Sequence, residues 1–220
     1  MKEVGKTIQV LYEDDCLVVF DKPSGVLVIP SPKKETNTLF DLVNANITSS
    51  KLHPCHRLDR DTSGVIVFAK GKHNQQLMMS EFQHMAVQKK YIAFVRGRME
   101  RPQGEIRIPI KDFHQKKFQK HLKPKPATTR YRVVSVKKKF SVVEVTPVTG
   151  RTNQIRIHFS EVGNPLLGER IYAFGKDFDI KFRRVALHAS EIKWRHPVTK
   201  QVIEIKSDLP EDMKLFLSQN

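Results

Sequence analysis

Cysteine is scarce: Cys16 and Cys55 are the only thiols in 220 residues, and no CxxC pair occurs. A disulfide framework and a structural zinc site are thereby set aside, so both are expected as reduced thiols of a cytoplasmic protein. No apolar run reaches about 18 residues, and Met1-Lys2-Glu3-Val4-Gly5-Lys6 lacks the apolar core of an export signal. The expectation is a soluble chain with no membrane partner. Acidic residues are also few, 23 Asp and Glu against 39 Lys and Arg, giving a formal net charge of +16. That excess points to a polyanionic partner, nucleic acid foremost, against the plainer reading of a solvated basic surface. A hydrophobic content of 39% suits a globular enzyme, and this length predicts one domain.

What is present centres on His56-Arg57-Leu58-Asp59-Arg60-Asp61-Thr62-Ser63-Gly64, followed at once by the apolar run Val65-Ile66-Val67-Phe68-Ala69. A short polar loop entering a buried strand is a common way to hold reactive groups on a rigid edge. The loop carries two carboxylates, and on residue type alone Asp59 and Asp61 are equal as nucleophiles.

In chain order, residues 8–13 and 16–21 read as strands about the turn Asp14-Asp15. Residues 21–25 form a tight turn that puts Lys22 at a strand end, as a simple turn lysine or a functional one, before an extended run at 26–29. Thr38 caps a helix with Leu39, Leu42, Val43 and Ile47 on one face. Over 72–85, Leu77, Met78, Phe82 and Met85 recur at helical spacing, which is core packing and not a cofactor box. The strand over 89–97 places Tyr91 with Ala93 and Val95 on one face, as a structural tyrosine would sit.

Residues 104–110 read as another strand. The stretch 111–127 then holds Lys111, Lys116, Lys117, Lys120, Lys123 and Lys125 with Phe113 and Phe118 interleaved. Pro124 and Pro126 exclude a continuous helix, so this is a basic loop: a phosphate-contacting arm, or merely a disordered charged segment. Residues 129–136 and 140–148 alternate as a hairpin. Thr152 is the expected cap of a helix with Ile155, Phe159 and Val162 as its stripe, Gly163 as its stop and Arg156 beside the stripe. Residues 187–189, 192–194 and 202–205 read as strands, and Pro210 starts a terminal helix. No repeat or low-complexity tract is visible. Hairpin-linked strands with a few helices predict an α+β mixed sheet.

The Lys22-Pro23-Ser24-Gly25 turn, the run His56 to Gly64, Lys90-Tyr91, the run Gly150 to His158, Gly163-Asn164-Pro165-Leu166-Leu167-Gly168 and Leu187-His188-Ala189 together resemble the RluA-type RNA pseudouridine synthases. The match spans nearly the whole chain in the family's order. It implies an α+β fold with a mixed, mainly antiparallel sheet, flanking helices and a central RNA-binding cleft, in one catalytic domain. The pattern begins near Ile8, so the family's common N-terminal S4 module is not expected.

The resemblance also implies an activity: isomerising a uridine within folded RNA, without metal or organic cofactor, by breaking the base–sugar bond and rejoining the base through a ring carbon. Asp59, not Asp61, becomes the nucleophilic carboxylate, Tyr91 packs against the target base, and Arg156 forms an ion pair beside Asp59. RNA contact is expected of His56, Arg57, Thr62, Arg151 and Gln154, and of Lys116, Lys117 and Lys120 in the basic arm. Arg57 would push into the space that the flipped base leaves. The expected substrates are transfer-RNA anticodon stem-loops and a matching large-subunit ribosomal hairpin, bound by a monomer.

These residue types suit that chemistry. A stacked uridine must first be extruded and then meet a tethered nucleophile, and covalent capture divides one hard step into two. A guanidinium keeps the carboxylate ionised and oriented with a planar fork that lysine lacks. Whether Asp59 attacks sugar, attacks base or removes a proton stays open. Asn153 departs from the family's usual histidine, and both types can donate a hydrogen bond. Three rivals are weaker: an aspartyl-phosphate phosphatase reading of Asp59-Arg60-Asp61, a non-catalytic basic RNA-binding protein, and a zinc site on His53, Cys55 and His56.

Overall fold

The computed structural model describes residues 8–30, 35–45, 47, 50–111, 123–173 and 180–220. In chain order its elements are β1 (Gln9–Glu13), β2 (Leu17–Lys22), α1 (Leu39–Asn44), β3 (Leu52–Pro54), β4 (Ser63–Lys70), α2 (Gly71–Gln83), β5 (Gln88–Arg96), β6 (Gln103–Ile106), β7 (Thr129–Val136), β8 (Phe140–Pro147), α3 (Gln154–Glu161), β9 (Leu187–Arg195), β10 (Val202–Lys206) and α4 (Glu211–Gln219). The fold is mixed α+β with mainly antiparallel strand pairing. The chain divides into two compact units, Met1–Lys89 with His188–Leu215 and Lys90–Leu187 with Phe216–Asn220.

The first unit is built on a strand that is almost wholly buried, β4. In β4, seven of eight residues are buried, the mark of a strand covered on both faces. It pairs antiparallel with β2 from Leu17↔Ala69 to Lys22↔Gly64, and β1 and β3 extend this sheet. On β9 the pairing with β4 is parallel, through Ser63↔His188 and Gly64↔Ala189, after which β9 pairs antiparallel with β10. Helix α2 lays Met78 into a core of Leu17, Val19, Val65, Val67 and Trp194. The turn into β2 is held by Asp14, whose Oδ1 accepts the Cys16 and Leu17 N–H groups at 2.7 Å each.

In the second unit, β5, β8, β7 and β6 form an antiparallel sheet in that order. Phe94, Phe140 and Phe182 gather around Phe216 with centroids 5.1–6.1 Å apart. Burial of such rings supplies much of a small core's stability.

Several elements depart from the sequence expectations for local reasons. Residues 26–29 form no strand: the carbonyls of Leu27 and Val28 instead accept the Leu39 and Phe40 N–H groups at the start of α1. Thr38 does cap α1 through a reciprocal box with Asp41, but the helix stops at Asn44, before Ile47. Helix α2 ends at Gln83; Met85 has φ 55° and is 68% exposed, so it leaves the stripe. The strand over 104–110 is shorter than expected, because β6 closes at Ile106 and Ile110 makes an isolated bridge to Lys125. The cap of α3 is Asn153 and not Thr152.

Candidate active site

The loop carrying Asp59 is pinned from both sides. Leu58 and Thr62 are buried, with Asp59 half-buried between them, and the Thr62 N–H closes a turn onto the Asp59 carbonyl at 3.2 Å. Arg57 and Arg60 are exposed, the latter paired with Glu35. His56 accepts the Val67 N–H on Nε2 at 3.1 Å and lies 4.8 Å from the Phe82 ring. Burial, with Lys89 nearby, pushes its pKa down to about 3, so the imidazole is neutral at ordinary pH.

Lys22 decides its own open reading. Its side chain is fully buried, and Nζ donates to the carbonyls of Pro23 (2.9 Å), Val26 (2.7 Å) and Arg60 (3.0 Å). The Gly25 N–H adds a second bond to the Arg60 carbonyl at 2.8 Å. The Lys-Pro-Ser-Gly turn is therefore a clamp on the residue after Asp59. The loop's far end is fixed by Ser63, whose Oγ lies 3.0 Å from His188 Nδ1, while His188 Nε2 meets the Ser207 carbonyl at 3.2 Å. At Gly64, with φ +108°, an added Cβ would fall 2.2 Å from the Ala189 carbonyl oxygen. Only glycine admits that approach.

The second unit holds the other two motif residues named for catalysis. Tyr91 is buried on β5 opposite Val145. Arg156, on the first turn of α3, is buried and meets Glu169 through a fork: Nε donates to Oε2 at 2.6 Å and Nη2 to Oε1 at 3.0 Å. Its Nη1 donates to Asn153 Oδ1 at 3.0 Å, and Asn153 Nδ2 donates to the Tyr172 hydroxyl at 2.9 Å. Glu169 Oε1 also accepts the Ile171 and Tyr172 N–H groups. Burial alone would raise the Glu169 pKa, but the Arg156 bonds and charge and these two amides hold the carboxyl below its ordinary range. Asn153 adopts φ 54°, a conformation that asparagine tolerates well, and gives no side-chain cap. Its amide serves Arg156 instead.

Gln154 is buried and its amide is occupied within the unit: Nε2 donates to the Thr128 carbonyl and Thr129 Oγ1, and Oε1 accepts from Thr149 Oγ1 and the Arg151 N–H. Arg151 is exposed, with Nε donating to the Pro126 carbonyl at 3.2 Å. Lys116, Lys117 and Lys120 lie outside the described residues. Glu169 and Tyr172 were not singled out from the sequence; Glu169 directly follows Gly168, where an added Cβ would fall 1.8 Å from the Arg184 carbonyl oxygen.

Among the described residues, Asp14, Cys16 and His196 bring potential metal-ligand atoms within 4.8 Å of one another. Their chemistry does not suit a cation. His196 Nδ1 accepts the Val198 and Thr199 N–H groups, which leaves the proton on Nε2, 3.1 Å from Asp14 Oδ2. The same Oδ2 accepts the Tyr12 hydroxyl at 2.5 Å.

Comparison with known proteins decides the family. A family model described as RNA pseudouridylate synthase matches residues 16–161, well over half of the chain. The chain belongs to the RluA-type RNA pseudouridine synthases. The dual-specificity RNA pseudouridine synthase RluA of Vibrio cholerae is 36% identical over 195 residues, covering 86% of this chain and 78% of that protein. The uncharacterized RNA pseudouridine synthase YhcT of Bacillus subtilis is 32% identical over 215 residues, covering 94% and 70%. In structure, human RNA pseudouridylate synthase domain containing 4 superposes with a TM-score of 0.77 at 24% identity, over 96% of this chain and 92% of that one. As a pseudouridine synthase the protein is an isomerase whose substrate is RNA. Uracil leaves the sugar through nitrogen and returns through a ring carbon; the nitrogen gains the proton that the carbon gives up. No co-reactant is consumed.

Proposed function

We propose that this enzyme isomerises uridine in a transfer-RNA anticodon stem-loop, a large-subunit ribosomal hairpin or both, with Asp59 as its catalytic carboxylate. The observation that carries the assignment is the clamp on the Asp59 loop. A carboxylate between two buried neighbours, with the next residue's carbonyl bound by both Lys22 and Gly25, is preorganised as a nucleophile or base must be. Asp61, one of the two equal candidates on residue type, is set aside on the motif match alone.

Tyr91 supplies the ring for the extruded base and Arg156 the guanidinium that keeps the carboxylate ionised, as their places in the matched motifs suggest. The ribosomal substrate is supported by relatives named as large-subunit ribosomal enzymes, among them pseudouridine synthase D of Nitrosomonas europaea, 32% identical over 222 residues. The relative named as dual-specificity fits action on more than one RNA site, and the transfer-RNA substrate rests on the motif resemblance alone. The enzyme would work as a monomer in the cytoplasm.

Mapping pseudouridine in total RNA from cells carrying the wild type, Asp59→Asn or no copy tests this. The expected result is one or a few positions lost alike in the variant and the null, with RNA binding by Asp59→Asn retained. Modification that persists in the Asp59→Asn cells would overturn the assignment. Binding should also weaken steeply between about 50 and 200 mM salt, since phosphate contacts release counterions.

A further inference from the structure

We propose that the apolar pocket walled by α1 and α2 in the first unit receives a second unstacked nucleobase of the RNA, one that is not the reacting uridine. This deepens the RNA-modifying reading and rests on it. The pocket is an open one of about 440 Å³, a size suited to a small planar ligand. Phe40 of α1 and Met79 of α2 line it, together with Val28, Pro54 and His56. An aromatic face and a thioether are the surfaces on which a base stacks.

Charge selects the occupant. The lining is neutral with one exception: the His56 ring is uncharged at ordinary pH, and burial pushes the Cys55 thiol up to about 12. The exception is Arg57, whose side chain is exposed. Beside the pocket, the Lys51 ammonium stands 4.8 Å from the centroid of the Phe40 ring. Gln75 also lines it, and because its Nε2 donates to the Pro54 carbonyl at 2.8 Å, its oxygen remains as an acceptor. A neutral slot with one acceptor, a guanidinium and a neighbouring ammonium complements a nucleotide in each part: a flat apolar face, an N–H edge and a phosphodiester. An aliphatic guest would fill the slot and leave both cations unmatched.

The pocket's place in the chain points to the same RNA. Arg57 lines it and stands two residues before Asp59 in one clamped loop. Bases splayed from a hairpin loop are what proteins read by stacking, and each one seated offsets part of the cost of unstacking the loop. Ile29 and Met79 keep apolar surface at the pocket, at 42% and 39% exposure, where a base can reach them.

The test uses the full-length enzyme and a hairpin carrying a mapped target. Each non-target loop nucleotide is replaced in turn by an abasic residue, and binding and pseudouridine yield are measured for wild type, for Met79→Trp, which fills the pocket, and for Phe40→Ala, which strips its ring. At one loop position the abasic change should weaken wild-type binding by roughly tenfold or more. The same change should cause no further loss in either variant, whose affinity for intact RNA is already reduced. Abasic losses that are the same in all three proteins at every position would overturn the pocket assignment while leaving the enzyme reading intact. A wild-type protein that forms no pseudouridine in any RNA would overturn both.

Discussion

The Lys22 ammonium stands 3.0 Å from the carbonyl oxygen of Arg60, thirty-eight residues along the chain and next to Asp59. A fully buried lysine is costly unless its hydrogens are matched, and three carbonyls match them here. Lys22→Met would leave those carbonyls short of a donor. We expect a loss of roughly 2–4 kcal/mol in chemical denaturation and a fall in kcat beyond what the folded fraction explains. Full kcat per folded molecule would show that the clamp serves stability alone.

Glu169 bears the same relation to Arg156 in the second unit. Glu169→Gln keeps the shape but removes the charge that balances a buried guanidinium, a change that costs about 3–5 kcal/mol in comparable pairs. The expected pattern is a lower kcat with KM for RNA unchanged, partly restored by Glu169→Asp. A rise in KM alone would place Glu169 in RNA binding instead.

At Gly64 the prediction is steric. With φ +108° and a backbone oxygen 2.2 Å from the added Cβ, Gly64→Ala should lose more than about 3 kcal/mol or fail to fold. Gly25→Ala is the control: φ there is +87° but no atom lies within 4 Å of an added Cβ, so it should cost only the backbone strain of about 1–2 kcal/mol. Equal losses at the two sites would refute the steric account.

His56 sets a pH dependence. Its folded pKa of about 3 lies below its ordinary 6.5, so from pH 6.5 down to 3 the unfolded chain takes up a proton that the folded one refuses. Stability from this site is fully present above pH 6.5 and is lost as pH falls toward 3, with a slope of up to about 1.4 kcal/mol per unit. Denaturation of wild type and His56→Gln between pH 7 and 5 should show the shallower slope in the variant. Parallel slopes would mean that His56 is protonated in the folded protein.

Composition and linear pattern were enough for much of this molecule: the apolar run of β4, the Thr38 cap, the hairpin of β7 and β8, the basic balance and the ordered motifs that mark the family. Those properties depend on neighbours a few residues apart, so a linear reading finds them. Lys22 was balanced between two readings because its partner at Arg60 is distant in sequence. Asn153 looked like a departure inside a motif until its amide met Arg156 and Tyr172, and Glu169 drew no notice because an acid after a glycine carries no period. Hydrogen-bond partners and burial are set where remote segments meet, and only the folded chain decides them.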